Sequence, residues 1–195
     1  THTANIPASS VILSPFFKVD GDSTIRDMYI DRFVLTQSPL MTGADLAEFY
    51  YTADSSIGAG DIVAANPNKA ENVLKADTLT NPNMLGIVST QPGKVLGNSE
   101  GDGLPVIVGL AGRVPVKVTT ANGPINAGDY ITISEIPGVG VKALTAGQVV
   151  GMALESYENE DPTAVGSVLV LIKNTWHDPI AANAEQAALA DIQAS

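Results

Sequence analysis

Apolar and polar residues alternate with a period of two near the middle of the chain. Val114, Val116 and Val118 are separated by Pro115 and Lys117, a spacing that puts three branched side chains on one face of a strand. The surrounding stretch Leu104–Glu155 reads LPVIVGLAGRVPVKVTTANGPINAGDYITISEIPGVGVKALTAGQVVGMALE. It predicts short strands joined by tight turns. Asn122–Gly123–Pro124 and Ala127–Gly128–Asp129 supply the turns, because Gly accepts positive φ and Asp can bond its own backbone. Further on, Ser167–Ile172 (SVLVLI) is apolar without alternation and predicts a central strand. The fold class expected is mainly β: a compact β module with an apolar strand before it and a short helix after it.

Part of the pattern recurs. Ile57–Gly58–Ala59–Gly60–Asp61–Ile62–Val63 matches Ile125–Asn126–Ala127–Gly128–Asp129–Tyr130–Ile131, and Met84–Ser89 matches Val149–Glu155. Each unit runs from an Ala-Gly-Asp turn through a strand and a variable loop to a strand interrupted by Gly. Two similar β units, an internal duplication, are expected to pack together because neither buries its apolar face alone. Asn66–Asn83 and the Gly-, Ser- and Asn-rich Gln91–Gly103 are expected to be loops, as is the acidic Glu155–Val165.

The ends have a different texture. Val11–Val19 (VILSPFFKV) is apolar but broken by Pro15, which removes a ladder donor and predicts an edge strand or two fragments. It belongs either to the module's own core or to the sheet of a neighbouring subunit. Asp20–Thr24 is expected to be an Asx turn, since the Gly and closing Glu of a calcium loop are missing, and Ile25–Thr36 a strand. At the other end, Asp178 is a good N-cap and Pro179 suits the first helical position. Ile180, Ala184, Ala188 and Ile192 recur every four residues and predict an amphipathic helix over about 179–193, too short to be stable alone. The expected division is residues 1–41 as an N-terminal extension, 42–176 as the β module and 177–195 as the helix.

Composition narrows the function. The chain has 195 residues, 45% hydrophobic but only 5% aromatic, so its core is built from Val, Ile, Leu and Ala. A net charge of −11 with ten Lys and Arg argues against nucleic acid and anionic membranes as partners. There is no cysteine, which excludes disulfides and thiolate chemistry, and no apolar run approaches the length of a membrane helix. An opening on THTANIP without Met has the look of a processed or excised product.

Catalytic candidates are few. His2 and His177 are the only histidines and make no triad or metal pair. Ser89 and Lys94 share a loop, a spacing that chance readily supplies. Glu155, Glu158, Glu160 and Asp161 carry oxygen ligands that suit calcium, but a solvated loop is the simpler expectation. No Gly-rich loop leads into a Lys-Ser/Thr helix start. No cofactor and no metal are expected.

Several motifs occur in fixed order: DLAE at Asp45–Glu48, GDIV at Gly60–Val63, LGIVSTQPGKVLG at Leu85–Gly97, LAGRVPVKV at Leu110–Val118, NGPINAGD at Asn122–Asp129 and VVGMALE at Val149–Glu155. Over roughly Thr42–Trp176 the chain resembles a C-terminal module that recurs in bacterial β-strand-repeat surface proteins and phage tail-fibre or appendage proteins. It is similar to the intramolecular-chaperone, auto-cleaving domains of pre-neck appendage proteins. The resemblance implies an extracellular, cell-surface or virion structural protein, often trimeric. The expected function is that of a structural subunit of a surface filament or fibre, acting by association with copies of itself. Val11, Ile12, Leu13, Phe16, Phe17, Ile180, Ala184, Ala188 and Ile192 are the expected contact residues. One alternative is a self-processing chaperone domain, with Asp45 and Glu48 as the carboxylates in the matching motif. Another is a carbohydrate- or surface-binding module with Tyr50, Tyr51 and Trp176 as stacking residues.

Overall fold

The computed structural model describes residues 43–80, 83–182, 184 and 192. The expected strands over Val11–Val19 and Ile25–Thr36, and the turn at Asp20–Thr24, lie outside the described residues. Ten strands follow in order: β1 (Ala44–Thr52), β2 (Ile62–Ala65), β3 (Val73–Lys75), β4 (Met84–Val88), β5 (Lys94–Leu96), β6 (Leu104–Val118), β7 (Tyr130–Ile133), β8 (Gly140–Lys142), β9 (Gly147–Ala153) and β10 (Gly166–His177). All belong to one sheet, antiparallel except where β5 pairs with β1 and β8 with β6. The fold is mainly β, with helical residues following β10.

The sheet closes on itself through β6. The first half of β6 pairs with β1 and with β4, β4 pairs with β2, and β2 with β3. The ring returns to β1 through a bridge between Asn72 and Tyr51, whose N–H donates to Glu71 O at 2.9 Å. The second half of β6 pairs with β10, β10 with β9, β9 with β7, β7 with β8, and β8 returns to β6 at Val118 and Gly140. Two rings thus share one 15-residue strand. At Gly112 the strand changes partner: this residue faces Asp45 of β1 and Ile172 of β10. Its φ of 101° lies in the left-handed region, and a Cβ there would collide with Ala44 O, so only glycine fits.

Branched aliphatics fill both rings. Val63, Val73, Val88, Val106 and Val108 form one buried cluster, with strands β2, β3, β4 and β6 each contributing. A larger cluster joins Val114, Val116, Val118, Ile131, Ile133, Val150, Val168, Val170 and Ile172 to Ile62, Ala64, Met84 and Ile87. Val63 belongs to the first cluster and its neighbours Ile62 and Ala64 to the second, so β2 is covered on both faces. Each buried Val or Ile contributes about 1.5–3 kcal/mol; a core without phenylalanine or tryptophan is sufficient because many such residues are used.

The two Ala-Gly-Asp turns make the same bonds. Asp61 N–H donates to Gly58 O at 3.0 Å while the Asp61 carboxylate accepts from Gly58 N at 2.9 Å. Asp129 N–H donates to Asn126 O at 3.0 Å while its carboxylate accepts from Asn126 N at 2.7 Å. Gly60 and Gly128 have φ of 80° and 96°. β2 lies between β3 and β4 as β7 lies between β8 and β9. These are likenesses of turn and pairing; a duplication of the chain is not shown.

Two expected loops contain strands. Asn66–Asn83 holds β3 with Val73 and Ala76 buried, and Gln91–Gly103 holds β5, laid parallel to β1. Both strands are three residues long, too short for periodicity to show. Glu155–Val165 is a loop; Asp161 accepts from the Thr163 hydroxyl and amide, which lowers its pKa, and Glu155 accepts from Leu169 N. The central strand expected over Ser167–Ile172 runs on to His177.

Asp61 carries the largest electrostatic load. Its side chain is 2% exposed and pairs with Lys117 of β6 at 2.6 Å and Lys75 of β3 at 3.5 Å. Gly138, in the second ring's β7–β8 turn, has its Cβ direction 3.2 Å from the Asp61 carboxyl carbon, and Ile62 N–H donates to Gly138 O at 2.8 Å. Asp61→Ala is expected to lower the unfolding free energy by about 3 kcal/mol, because it strands two ammonium groups and opens the turn. Asp129→Ala, where the pair with Lys142 is partly exposed, is expected to cost about 1 kcal/mol. Urea unfolding of the two variants against the parent measures both.

Candidate functional site

The end of β10 carries exposed apolar side chains near a groove. A register shift between Ile172 and Thr175 turns the strand, after which Trp176 faces Gln148 and His177 faces Gly147 of β9. The His177 ring stacks on Tyr130 with centroids 4.0 Å apart and 23° between planes. Lys173 Nζ donates to the Tyr130 hydroxyl at 3.3 Å. Beyond it, Asp178 Oδ1 accepts from Ile180 N at 3.0 Å and Ala181 N at 3.2 Å, and Ala182 N–H donates to Asp178 O. The N-cap and the Pro179 start are therefore as the sequence predicts, and residues 179–182, 184 and 192 are helical.

Between helix start and sheet lies a groove of about 490 Å³ lined by Asp129, Tyr130, Lys142, Leu144, His177 and Ile180. Lys142 is neutralised by Asp129 at 2.7 Å. Ile180 is 77% exposed and Trp176 68%; Leu144 is also exposed. The groove holds no Ser, Thr or Cys among its lining residues.

The other candidates are scattered. Ala184 and Ile192 are exposed like Ile180, whereas Val11, Ile12, Leu13, Phe16, Phe17, Ala188 and His2 lie outside the described residues. Tyr51 is buried, and its hydroxyl donates to Asn98 O at 3.0 Å and Glu100 O at 2.9 Å; it anchors the loop before β6 and is not free to stack on a sugar. Tyr50 donates to Glu48 at 3.2 Å, and burial, then Glu48 and Glu71, raise its pKa. Ser89 Oγ is buried without a hydrogen-bond partner, so Lys94 is not its base. Among the described residues no group of acidic, His or Cys side chains is arranged to hold a metal.

Asp45 and Glu48 are not brought together. Three residues apart on β1, they line different grooves, Asp45 beside Arg113 and Gln91, Glu48 beside Glu71 and Leu96. Asp45 is 6% exposed, and its Oδ2 is buried with no hydrogen-bond partner. That oxygen lies 3.1 Å from the Cβ direction of Gly109, where Val114 and Ile172 also converge. A buried carboxylate oxygen among aliphatic side chains is costly, and sequence alone gave Asp45 no more weight than Glu48. Sequence reasoning missed the Asp61 pairs and the Tyr130–His177 stack, because pairing across the fold leaves no local pattern.

No family model matches the chain, and no curated protein matches it. Among solved structures, the pre-mature bacteriophage phi29 gene product 12 is similar at 17% identity and a TM-score of 0.45, over 67% of this chain and 21% of that one. The C-terminal fragment of the same gene product is similar at 17% identity and a TM-score of 0.44, over 66% of this chain and 100% of the fragment. The chain thus spans about a fifth of the length of the pre-mature protein.

Asp45→Asn keeps the shape and removes the charge. It is expected to leave stability at neutral pH unchanged or to raise it by about 1 kcal/mol, read by urea unfolding.

Proposed function

We propose that this chain is a structural module of an extracellular or virion fibre-like assembly and that it works by association with copies of itself. The observation that carries the reading is the exposed apolar surface after β10: Leu144 and Ile180 line one groove, Ala184 of the same helical stripe is also exposed, and Trp176 is exposed on the strand just before His177. Contiguous exposed apolar surface marks an interaction site, and a stripe spaced by four residues suits helix packing through matching ridges. Ile180 and Ala184 are exposed beside the sheet, which favours a neighbour over the module as their partner. The motif resemblance over Thr42–Trp176 supports the same setting.

Light scattering after size exclusion tests this. The parent is expected to elute at a multiple of 20.1 kDa, and the double change Trp176→Ser with Ile180→Lys to shift it towards the monomer while its thermal unfolding stays cooperative. A parent that is monomeric at high concentration overturns the reading.

The buried, unpartnered Asp45 favours a second reading, self-processing of a longer chain, because a carboxylate oxygen without a hydrogen-bond partner sits at the start of β1 beside a groove. A precursor extended at its N-terminus is expected to yield two fragments, and Asp45→Asn to abolish the cut without loss of fold. Equal cutting in the variant removes Asp45 from that role.

A further inference from the structure

We infer that Asn122–Gly123 is a self-modifying latch: a deamidation site held shut by the closure of β8 onto the end of β6. It is the one Asn-Gly pair in the sequence, and it sits in the exposed turn that follows β6. Glycine offers the least steric hindrance to attack by its own amide nitrogen on the preceding side chain. In that reaction Gly123 N, having lost its proton to solvent base, forms a bond to Asn122 Cγ. Nδ2 leaves as ammonia, and a cyclic imide results. Water then opens either carbonyl, giving aspartate or isoaspartate. One water is consumed and one ammonia released, with no change of oxidation state.

The fold engages both reacting groups. Gly123 N–H donates to Thr120 O at 2.8 Å, and Asn122 Nδ2 donates to Lys142 O at 2.9 Å. Gly123 is held at φ 89°, in the region that glycine enters without strain. Lys142 is the last residue of β8. β8 meets β6 at a single register pair, Val118 with Gly140, and through Thr119 N–H donating to Gly140 O at 3.0 Å. The Asn122 amide is therefore one of few ties across this seam, and the attack requires that tie and the Gly123–Thr120 bond to break.

The product cannot re-form the tie. A carboxylate at position 122 has no proton to donate and sets an acceptor against the Lys142 carbonyl. It also adds a negative charge to a groove that already holds Glu135. Lys142 Nζ is occupied by Asp129. Each opening that ends in reaction is thus irreversible, and the second ring is left with a weaker seam.

The test compares the full chain with a synthetic peptide covering residues 118–127 in mildly alkaline buffer, followed by peptide mass mapping. Asn122 is expected to gain one mass unit in both, roughly tenfold or more slowly in the folded chain, as local opening equilibria allow. Urea is expected to bring the chain's rate to that of the peptide. Equal rates in chain and peptide without urea overturn the latch. So does an unmodified Asn122 in the folded chain when the peptide has reacted fully and another asparagine of the chain has reacted first. As a second measurement, Asn122→Asp is expected to unfold at a lower temperature than the parent and Asn122→Ser to fall between them; an aspartate variant as stable as the parent overturns the weakened seam. None of these outcomes bears on association through Trp176 and Ile180.

Discussion

The fold depends on one strand serving two rings. β6 must present its first half to β1 and β4 and its second half to β10 and β8. A strand has only two edges, so the change of partner has to happen within it. Gly112 makes that possible: it pairs with both β1 and β10, and the β1 backbone approaches it more closely than a side chain permits. The buried valines on either side, Val106 and Val108 before it and Val114, Val116 and Val118 after it, then face two different clusters. Removing β6 leaves neither ring with a closing partner.

The Asp61 pairs act on the same seam from the side. Lys117 comes from the second half of β6, Lys75 from β3 of the first ring, and the carboxylate between them is buried against Gly138. A buried ion pair is weak evidence for net stability, but it disfavours any other register, since a slipped strand would strand a charge. Asp129 repeats the turn without that burial. Similar local sequence therefore has unequal energetic weight, and the difference lies in what the rest of the chain packs over it.

Much of this was legible in the sequence. The period-two valines, the two Ala-Gly-Asp turns, the apolar run of β10 and the Asp178–Pro179 helix start each rest on neighbouring residues, and each is where the pattern puts it. β3 and β5 were not legible, because three residues give no period and their pairing depends on distant strands. The site divides in the same way. Exposure of Ile180 could not be read from the stripe, which suits the module and a neighbour equally. Tyr51 looked like a stacking residue until the Asn98 and Glu100 carbonyls were found around its hydroxyl. Asp45 and Glu48 share a motif, but strand geometry turns them apart.

The shared strand also sets the order in which the chain can fold. Synthesis runs from the N-terminus, so the partners of the first half of β6 are already made when β6 emerges, whereas β10 comes last. The first ring can close while Val114, Val116 and Val118 still lack Val168 and Val170. During that interval half of a closed structure carries an open, apolar strand edge, the kind of surface on which chains pair wrongly. The pairings that remove it join residues far apart in sequence and are slow to form. Prompt completion of β10, or early contact with a companion chain, would shorten the exposure of that edge.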